Sequence, residues 1–475
     1  MTNARRFLTD GFIILIGQGL SRGLGVLLLP ILTMVFLPAQ FGMSALATSY
    51  VSFVSVIALL GLDLTYLQSI PGAARPEAEA NAKVIWALTL VLAFCAAVIG
   101  SAAWWLWGKQ TPESAPWLAL GIFSTMVFSV CQSQMKANRK YLRLAIALST
   151  GGIVMYAWVL TRGLSGHDQA VTLVSGYALG VAAAVIVSRP AIRLPATGRL
   201  PDISALWCLL RIGLPAAFSA PVFWIISSMD RWLVAQFWGV SEAGIYSVAA
   251  SISGIGLLFG AVIHTIWLTE ASRLYNTKGA ASKEALAERM KEITFLFALA
   301  WLALTAFSGE IVHLFARPPY DQSLVYLPWL TTSVMLYGLF QALSVYLVVM
   351  NFLRKSMIIW FCGGILFITL SLFSADFSNP VGVAVSQALV YAFMLGWLYR
   401  LVRRDAELGI SAGVALFLIF AILLAGAVMA STQDLQFNLN HFILRFAVFV
   451  VLATMVAWHF KTQLLAIATG RKAHD

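Results

Sequence analysis

Long hydrophobic blocks alternate with short polar stretches along the chain. Most blocks are about 20 residues or longer, the length at which a helix crosses the hydrocarbon core of a bilayer at about 1.5 Å per residue. The first block is too long for the apolar segment of a signal peptide, so we count it as a span. The pattern predicts about fourteen transmembrane helices. They lie near residues 11–36, 41–69, 82–107, 115–135, 141–161, 169–188, 205–235, 241–269, 292–315, 324–350, 356–374, 379–400, 409–430 and 440–460.

The composition agrees with a membrane protein. Of the 475 residues, 60% are hydrophobic and only 11% are charged, and the mean hydropathy is +0.86. A soluble domain carries roughly 25% charged residues. Pattern and composition together predict an all-α polytopic membrane protein. Because each cysteine stands alone in an apolar block, we expect no metal site, cofactor or disulfide framework. The cysteines are Cys95, Cys131, Cys208 and Cys362.

The basic residues predict the orientation of the spans. If the N-terminus is cytoplasmic, the inner segments hold most of the 31 lysines and arginines. The outer segments hold only Lys109, Arg162, Arg317 and, at the membrane border, Arg231. Cytoplasmic loops of membrane proteins are enriched in these residues, so both termini are predicted to be cytoplasmic. The net charge of +11 then reflects topology, with attraction to anionic membrane lipids as a second effect, and nucleic acid is not an expected partner.

The spans fall into two sets of six. A segment rich in proline and arginine separates the sets, and each set begins on the inner side, which predicts parallel repeats related by an axis along the membrane normal. We predict two six-helix lobes around a central cavity, followed by two C-terminal helices. The predicted parts are an N-lobe at 1–190, a cytoplasmic linker at 191–204, a C-lobe at 205–404, and spans thirteen and fourteen with a cytoplasmic tail at 405–475.

A short alignment supports the repeats. The segment LPAQFGMSALA (37–47) joins the first two spans of its half, and GVSEAGIYSVA (239–249) joins the first two of the other. Aligned end to end, they place Gly42 over Gly244. The shared place in each half gives this short match its weight.

Two longer stretches carry a resemblance to a known family. They are GQGLSRGLGVLLLPILTMVFLPAQFGMSALA in the first two spans and RIGLPAAFSAPVFWIISSMDRWLVAQFWGVSEAGIYSVAASI at the start of the second half. The proline-bearing seventh span, the Asp-Arg pair at its end and the GIYSVA start of the eighth are typical features. Over nearly its whole length the chain resembles the bacterial polysaccharide flippases of the multidrug/oligosaccharidyl-lipid/polysaccharide exporter superfamily.

The resemblance implies a function. Such flippases move a polyprenyl-diphosphate-linked oligosaccharide from the inner to the outer leaflet of the bacterial inner membrane by alternating access of two six-helix lobes, in some cases coupled to a proton or sodium gradient. Polysaccharide polymerase machinery would then be a partner. The related lipid II flippases usually have arginines in the second and eighth spans. Residues 41–69 and 241–269 contain no Lys or Arg, which favours an O-antigen, capsule or exopolysaccharide unit as cargo.

Charged residues inside the spans are the candidate site residues, since each costs about 2.5–3.5 kcal/mol at the bilayer centre on insertion scales. Arg22 lies near mid-depth of the first span, with Gln18 one turn earlier on the same face. Arg binds phosphate oxygens bidentately, so these two are predicted to bind the diphosphate, or else to bridge to a neighbouring helix. Arg211 lies near the inner end of the seventh span, where it contacts the diphosphate or extends to the inner headgroups.

Four residues are candidates for ion coupling or gating. Asp63 in the second span is a proton or sodium site, a fixed partner of Arg22, or a solvated residue near the inner face. Asp230 and Arg231 are adjacent, so on a helix they point about 100° apart. They form an outer gate or substrate contact, or an interfacial pair that locks a lobe. His264 in the eighth span is a structural residue or a proton relay.

Three residues near the outer side and the last span complete the candidates. Arg445 in the fourteenth span extends to the membrane surface, pairs with another residue, or lines the groove for the polyprenyl tail that the resemblance implies. Glu310 and His313 lie near an outer helix end, where we expect solvated surface.

Two other functions are weighed against a flippase. A small-molecule antiporter of the multidrug type shares a twelve-span core, but it normally lacks two extra spans and mid-membrane arginines, which repel cationic drugs. A membrane glycan polymerase or glycosyltransferase needs a catalytic loop on the outer side. The outer loops are short, and the first, near 37–40, contains no acidic residue. We therefore expect a transporter and not an enzyme.

Overall fold

The computed structural model describes most of the chain. The described residues are Gly17, Gly19, 23–70, 74–108, 112–167, 169–189, 203–278, 283–349, 353–375, 380–405 and 439–459. Within these residues the chain forms helices and short connections, with no strand. The α-helices are α1 Leu29–Val35, α2 Pro38–Ala58, α3 Leu62–Ser69, α4 Arg75–Gly108, α5 Ala115–Ala137, α6 Tyr141–Leu164, α7 Ala170–Ser188, α8 Ile203–Trp238, α9 Val240–Lys278, α10 Lys283–Ala306, α11 Ser308–Phe315, α12 Leu327–Val349, α13 Leu353–Ala375, α14 Val381–Asp405 and α15 Leu439–His459. Two short 3₁₀ helices are Pro112–Ser114 and Tyr320–Val325.

Long apolar helices make this a multi-pass membrane protein. Nine helices of the described residues are long and apolar enough to cross a bilayer, or ten if one bent pair counts as a single span. The prediction of an all-α polytopic membrane protein is confirmed. The count of fourteen spans stays a prediction, because the thirteenth predicted span, 409–430, lies outside the described residues.

The chain divides into two compact units, and the first comprises Met1–Ser247. In it α6 packs on α7, α4 and α7 pack on α5, and α8 packs against both α2 and α3. Its core is a cluster of apolar side chains with little or no exposed surface, among them Val51, Ile85, Leu118, Ile122 and Met126. Inside a bilayer the lipid tails are as apolar as these side chains, so close van der Waals packing between the helices favours this arrangement.

The second predicted span is broken in the structure. Helix α2 begins at Pro38, whose fixed φ and missing N–H suit a first helical turn. It ends before Leu60 and Gly61, which have φ angles of 51° and 69°. Both angles lie in the left-handed region, which stops a right-handed helix. Gly61 then caps α3, so the apolar block 41–69 forms two helices instead of one.

The second unit comprises Val248–Asp475. In it α14 packs on α12 and α13, and α10 packs on α12 and α15. The predicted ninth span is a bent pair, since α10 and α11 meet at 64° next to Phe307. The polar segment KEALAERMKE makes the first turns of α10, where Leu286, Ala287 and Met290 are buried. The predicted lobe boundaries stay a prediction.

Candidate functional site

The site is described from the predicted residues that the structure contains. Arg22 and Gln18 lie outside the described residues, so their contact with a diphosphate stays a prediction. The other candidates are Arg211, Asp63, Asp230, Arg231, His264 and Arg445, and all of them lie on described helices.

The break in the second span is where Asp63 and Arg211 come close in the fold. Helix α8 packs directly on the break, because Gly213 has no side chain. A Cβ on Gly213 would lie 2.6 Å from the carbonyl oxygen of Leu60 and 2.7 Å from Oγ1 of Thr65. Asp63 is half-buried in the first turn of α3, and Arg211 is exposed two residues before Gly213. Both charged residues therefore flank one backbone contact between α3 and α8.

A third charged residue at this break, Lys136, was missed in the sequence. Lys136 is half-buried in the last turn of α5, and Asp63 is its charge neighbour. Beside it on α5, Gln134 accepts a hydrogen bond of 3.2 Å from the indole N–H of Trp86. From the sequence Lys136 belonged to an inner loop. The signal that it lies on a helix is the polar but uninterrupted run CQSQMKA, which continues α5 to Ala137.

Asp230 has a defined structural contact at the end of α8. Its carboxylate is 2% exposed and accepts hydrogen bonds from the backbone N–H of Arg231 at 2.8 Å and from the hydroxyl of Tyr246 at 3.0 Å. Tyr246 belongs to α9, which begins after the turn at Gly239, where φ is 98°. Asp230 thus braces the α8–α9 hairpin. Tyr246 lies in the GIYSVA motif, but the sequence did not identify it as the partner.

Arg231 follows Asp230 on α8, and ideal helix geometry separates the directions of two adjacent side chains by about 100°. It is half-buried, and its Nε atom is buried without a hydrogen-bond partner. The expected role of the Asp230–Arg231 pair in locking a lobe stays a prediction. A gating or substrate role for the Asp230–Arg231 pair stays a prediction.

An aromatic layer joins α2 to α8. The indole N–H of Trp224 donates to the carbonyl oxygen of Ser49 at 3.0 Å, and that of Trp232 donates to the hydroxyl of Ser49 at 2.7 Å. The rings of Phe53 and Trp224 lie 4.3 Å apart, centre to centre. Trp104 packs edge-on against Trp232 at 6.0 Å. Aromatic pairs of this kind add about 0.5–1.5 kcal/mol beyond the area that they bury.

The first turns of α2 and α9 touch through glycine. A Cβ on Gly42 would overlap the carbonyl oxygen of Val240 and lie 2.8 Å from the nitrogen of Gly244. A Cβ on Gly244 would overlap the carbonyl oxygen of Pro38 and lie 3.0 Å from the nitrogen of Gly42. Only glycine permits such an approach of two backbones. The two residues that the sequence alignment equates therefore contact each other.

In the second unit, Arg445 forms a buried ion pair. Its guanidinium lies 2.7 Å from the carboxylate of Glu310, and Arg445 is 6% exposed. Gly309 makes room for it, since a Cβ there would lie 3.0 Å from the guanidinium nitrogen. Glu310 is therefore not the solvated surface residue that was expected, and Arg445 pairs within the protein instead of extending to the membrane surface. His313 is exposed, as expected.

Aromatic rings also join α15 to the bend between α10 and α11. Phe307, at the bend between α10 and α11, lies 6.1, 6.3 and 5.3 Å from the rings of Phe442, Phe446 and Phe449 on α15. The ion pair and these rings fix α15 to the bend. His264 is half-buried in α9, and both of its predicted roles stay open. A role of Arg445 in a lipid-tail groove also stays a prediction.

Apolar spanning helices, a broken span and charged residues between helices define the class as a multi-pass helical membrane protein. A model of the polysaccharide biosynthesis protein family matches residues 31–321. The chain belongs to this family. The resemblance stated from the sequence is thereby confirmed. No curated protein matches the sequence.

Solved structures agree with this assignment. The chain is similar to the lipid II flippase MurJ in an inward closed conformation, with 13% identity and a TM-score of 0.74 over 96% of this chain and 100% of that one. It is also similar to a multidrug resistance MATE family transporter of the MOP superfamily in an inward-facing conformation, with 14% identity and a TM-score of 0.64 over 85% and 99% of the two chains. At such low identity these matches establish the shared fold alone.

Proposed function

We propose that the protein flips polyprenyl-diphosphate-linked oligosaccharide repeat units from the cytoplasmic to the outer leaflet of the bacterial inner membrane. The observation that carries the proposal is the match to the polysaccharide biosynthesis family on a transporter-type fold. The cargo would serve O-antigen, capsule or exopolysaccharide synthesis, with polymerase machinery as the next partner. Both termini are cytoplasmic in this proposal, in keeping with the distribution of basic residues.

The charges at the break in the second span support an anionic cargo. Arg211 is exposed, so its guanidinium is accessible to a diphosphate, and Lys136 lies at the same break. The topology proposed from the basic residues puts this break toward the inner side, where the cargo is made. A diphosphate would meet these cations first, and Arg22 with Gln18 would bind it deeper in the membrane. Transport then follows from alternating access of the lobes at 1–190 and 205–404.

Coupling to a cation belongs to the same proposal. Asp63 is the foremost candidate, because it is a half-buried carboxylate with Lys136 as charge neighbour. Binding of a proton or a sodium ion to Asp63 would release Lys136 for the cargo phosphates. Asp230 and His264 are the other candidates for this role. The likeness to MATE transporters favours one alternative function, a cation-coupled antiporter of small molecules. The lack of Lys and Arg in 41–69 and 241–269 still argues against lipid II.

The experiment uses proteoliposomes that contain a labelled polyprenyl-diphosphate oligosaccharide. Exposure of the label at the opposite leaflet is followed for the wild type, Arg211→Gln and Arg289→Gln. Arg289 is the matched control, because it is an exposed arginine that pairs with Glu292 three residues on. Loss of a charge-assisted contact predicts a rate about tenfold lower for Arg211→Gln, with Arg289→Gln unchanged. Wild-type protein that moves no glycan under imposed proton or sodium gradients, but exchanges a cationic dye, would support the antiporter instead.

A further inference from the structure

The glycine contact between α2 and α9 is reciprocal. Gly42 faces the backbone of Val240 and Gly244, while Gly244 faces the backbone of Pro38 and Gly42. Val240 precedes Gly244 by four residues on α9, and Pro38 precedes Gly42 by four residues on α2. The alignment of 37–47 with 239–249 matches the same residues. The sequence alignment and the contact geometry therefore identify the same pair, Gly42 and Gly244, independently of each other.

Such reciprocity is the signature of an isologous contact, in which one surface meets its own equivalent across a two-fold axis. In a transporter made of parallel repeats, that axis runs along the membrane normal through the middle of the protein. A contact on the axis closes the path that lies there. Backbone against backbone leaves no room for water or for a cargo between Gly42 and Gly244.

Ser49, about two turns beyond Gly42 on α2, joins α2 to the neighbouring helix α8. It accepts one indole N–H with its carbonyl oxygen and another with its hydroxyl, both from α8. Asp230 and Tyr246 tie α8 to α9, so the residues that contact α2 belong to one braced hairpin. The glycine contact and the Ser49 contacts must therefore open together.

We propose that Gly42 and Gly244 form the outer gate of the transport path, and that Ser49 is the latch that Trp224 and Trp232 hold shut. This inference rests on the proposed function for what passes through the gate. The gate is closed in this structure. Opening separates two glycine surfaces that have no interlocking side chains, and the freed indole N–H groups bond to water, so the cost of opening is low. The gate lies at the end of α2 that the distribution of basic residues assigns to the outside.

The test measures accessibility and not transport, so it stands apart from the test of the proposed function. All four cysteines are replaced in the full chain, and Ser247→Cys is introduced as a reporter, one turn beyond Gly244 on α9 and outside the Ser49 contacts. Ser247 is 3% exposed in the closed gate. Cells are treated from outside with a membrane-impermeant maleimide, and the labelling rate is measured for the reporter alone and with Gly42→Ala or Gly244→Ala. Gly254→Ala is the matched control, because Gly254 is in α9 and a Cβ there meets nothing within 4 Å.

An added methyl group in a filled contact shifts an equilibrium substantially, so we expect labelling about tenfold faster in either gate variant. Gly254→Ala should label like the reporter alone. Trp224→Phe tests the latch without crowding the glycines. It removes the indole donor to the Ser49 carbonyl and part of the ring that packs on Phe53, and should raise the labelling rate about threefold. Unchanged labelling in both gate variants and in Trp224→Phe would overturn the proposal, because the contact would then be a permanent seam. An equal rise in Gly254→Ala would overturn it as well. If the labelling rate changes as expected but the protein flips no glycan, the gate is supported and the proposed cargo is refuted.

Discussion

The hydroxyl of Tyr246 lies 3.0 Å from the carboxylate of Asp230, and this hydrogen bond spans the turn between α8 and α9. Both side chains are buried, so neither has water as a substitute partner. The contact explains why a carboxylate stands at the end of a long apolar run. It holds two long helices in a hairpin whose first turns then meet α2.

Removal of the Tyr246 hydroxyl should destabilise this hairpin. Tyr246→Phe leaves one carboxylate oxygen of Asp230 without its donor, and hydrogen bonds to charged groups contribute about 1.5–3 kcal/mol. We expect a lower thermal unfolding midpoint in detergent. Tyr275→Phe is the control, because Tyr275 lies exposed on the same helix and should leave the midpoint unchanged. Equal midpoints for the two variants would contradict the bracing role.

Loss of the buried guanidinium should loosen the last helix. Arg445→Leu leaves the Glu310 carboxylate without its cation, and breaking a buried pair costs about 3–5 kcal/mol when the remaining charge is fully enclosed. Glu310 is only half-buried, so the lower end applies. The double variant Glu310→Gln with Arg445→Leu should recover part of the loss. The unfolding midpoints of both variants check this, with the exposed Arg403→Gln as control. A double variant no more stable than Arg445→Leu would refute the pairing.

The break in the second span should require glycine for two separate reasons. Gly61 has a φ of 69°, and a Cβ on it would also overlap the backbone of Gly213. Gly166 has a φ of 82° with nothing within 4 Å, so Gly166→Ala carries the backbone strain alone. We expect Gly61→Ala to be more destabilising than Gly166→Ala by about 1–3 kcal/mol, the usual cost of overpacking. Chemical unfolding of both variants measures the difference. Similar losses of unfolding free energy would mean that α8 can shift to accommodate the added methyl group at little cost.

Asp63 and Lys136 should be energetically coupled. If they neighbour each other as charges, removing both should cost less than the two single losses added together, by about 0.5 kcal/mol or more. The cycle comprises Asp63→Asn, Lys136→Met and the double variant, compared by unfolding midpoint at low and at high salt. If the losses of stability in the two single variants add up to the loss in the double variant, the two residues do not interact. Coupling that shrinks as the salt concentration rises would show its electrostatic origin.

The sequence predicted the membrane helices well because their signal is local. Apolar length alone identifies a span, and the long apolar helices follow that signal. The hydropathy signal did not predict the helix break at Leu60–Gly61. Hydropathy does not report a left-handed backbone, and a leucine next to a glycine looks like ordinary apolar sequence. The signal failed in the same way at Phe307, where the chain bends without a proline.

Partners of charged residues were harder to predict than the residues themselves. Asp230, Asp63 and Arg445 stood out because charges are rare in apolar blocks. Their partners depend on which helices are neighbours, and that information is not local. Glu310 was assigned to solvated surface because Arg445 is 135 residues away in sequence. The Gly42–Gly244 match gave the equivalence of two segments, but contact between them follows only from the fold.

The ion pair between Glu310 and Arg445 also sets an order of events during synthesis. Glu310 leaves the ribosome 135 residues ahead of its partner, so its helix is inserted while the cation does not yet exist. The carboxylate must stay hydrated or protonated through that interval. The interval ends when α15 arrives and Arg445 pairs with Glu310. Membrane quality control that detects unpaired charge would recognise a chain stopped short of Arg445 as unfinished.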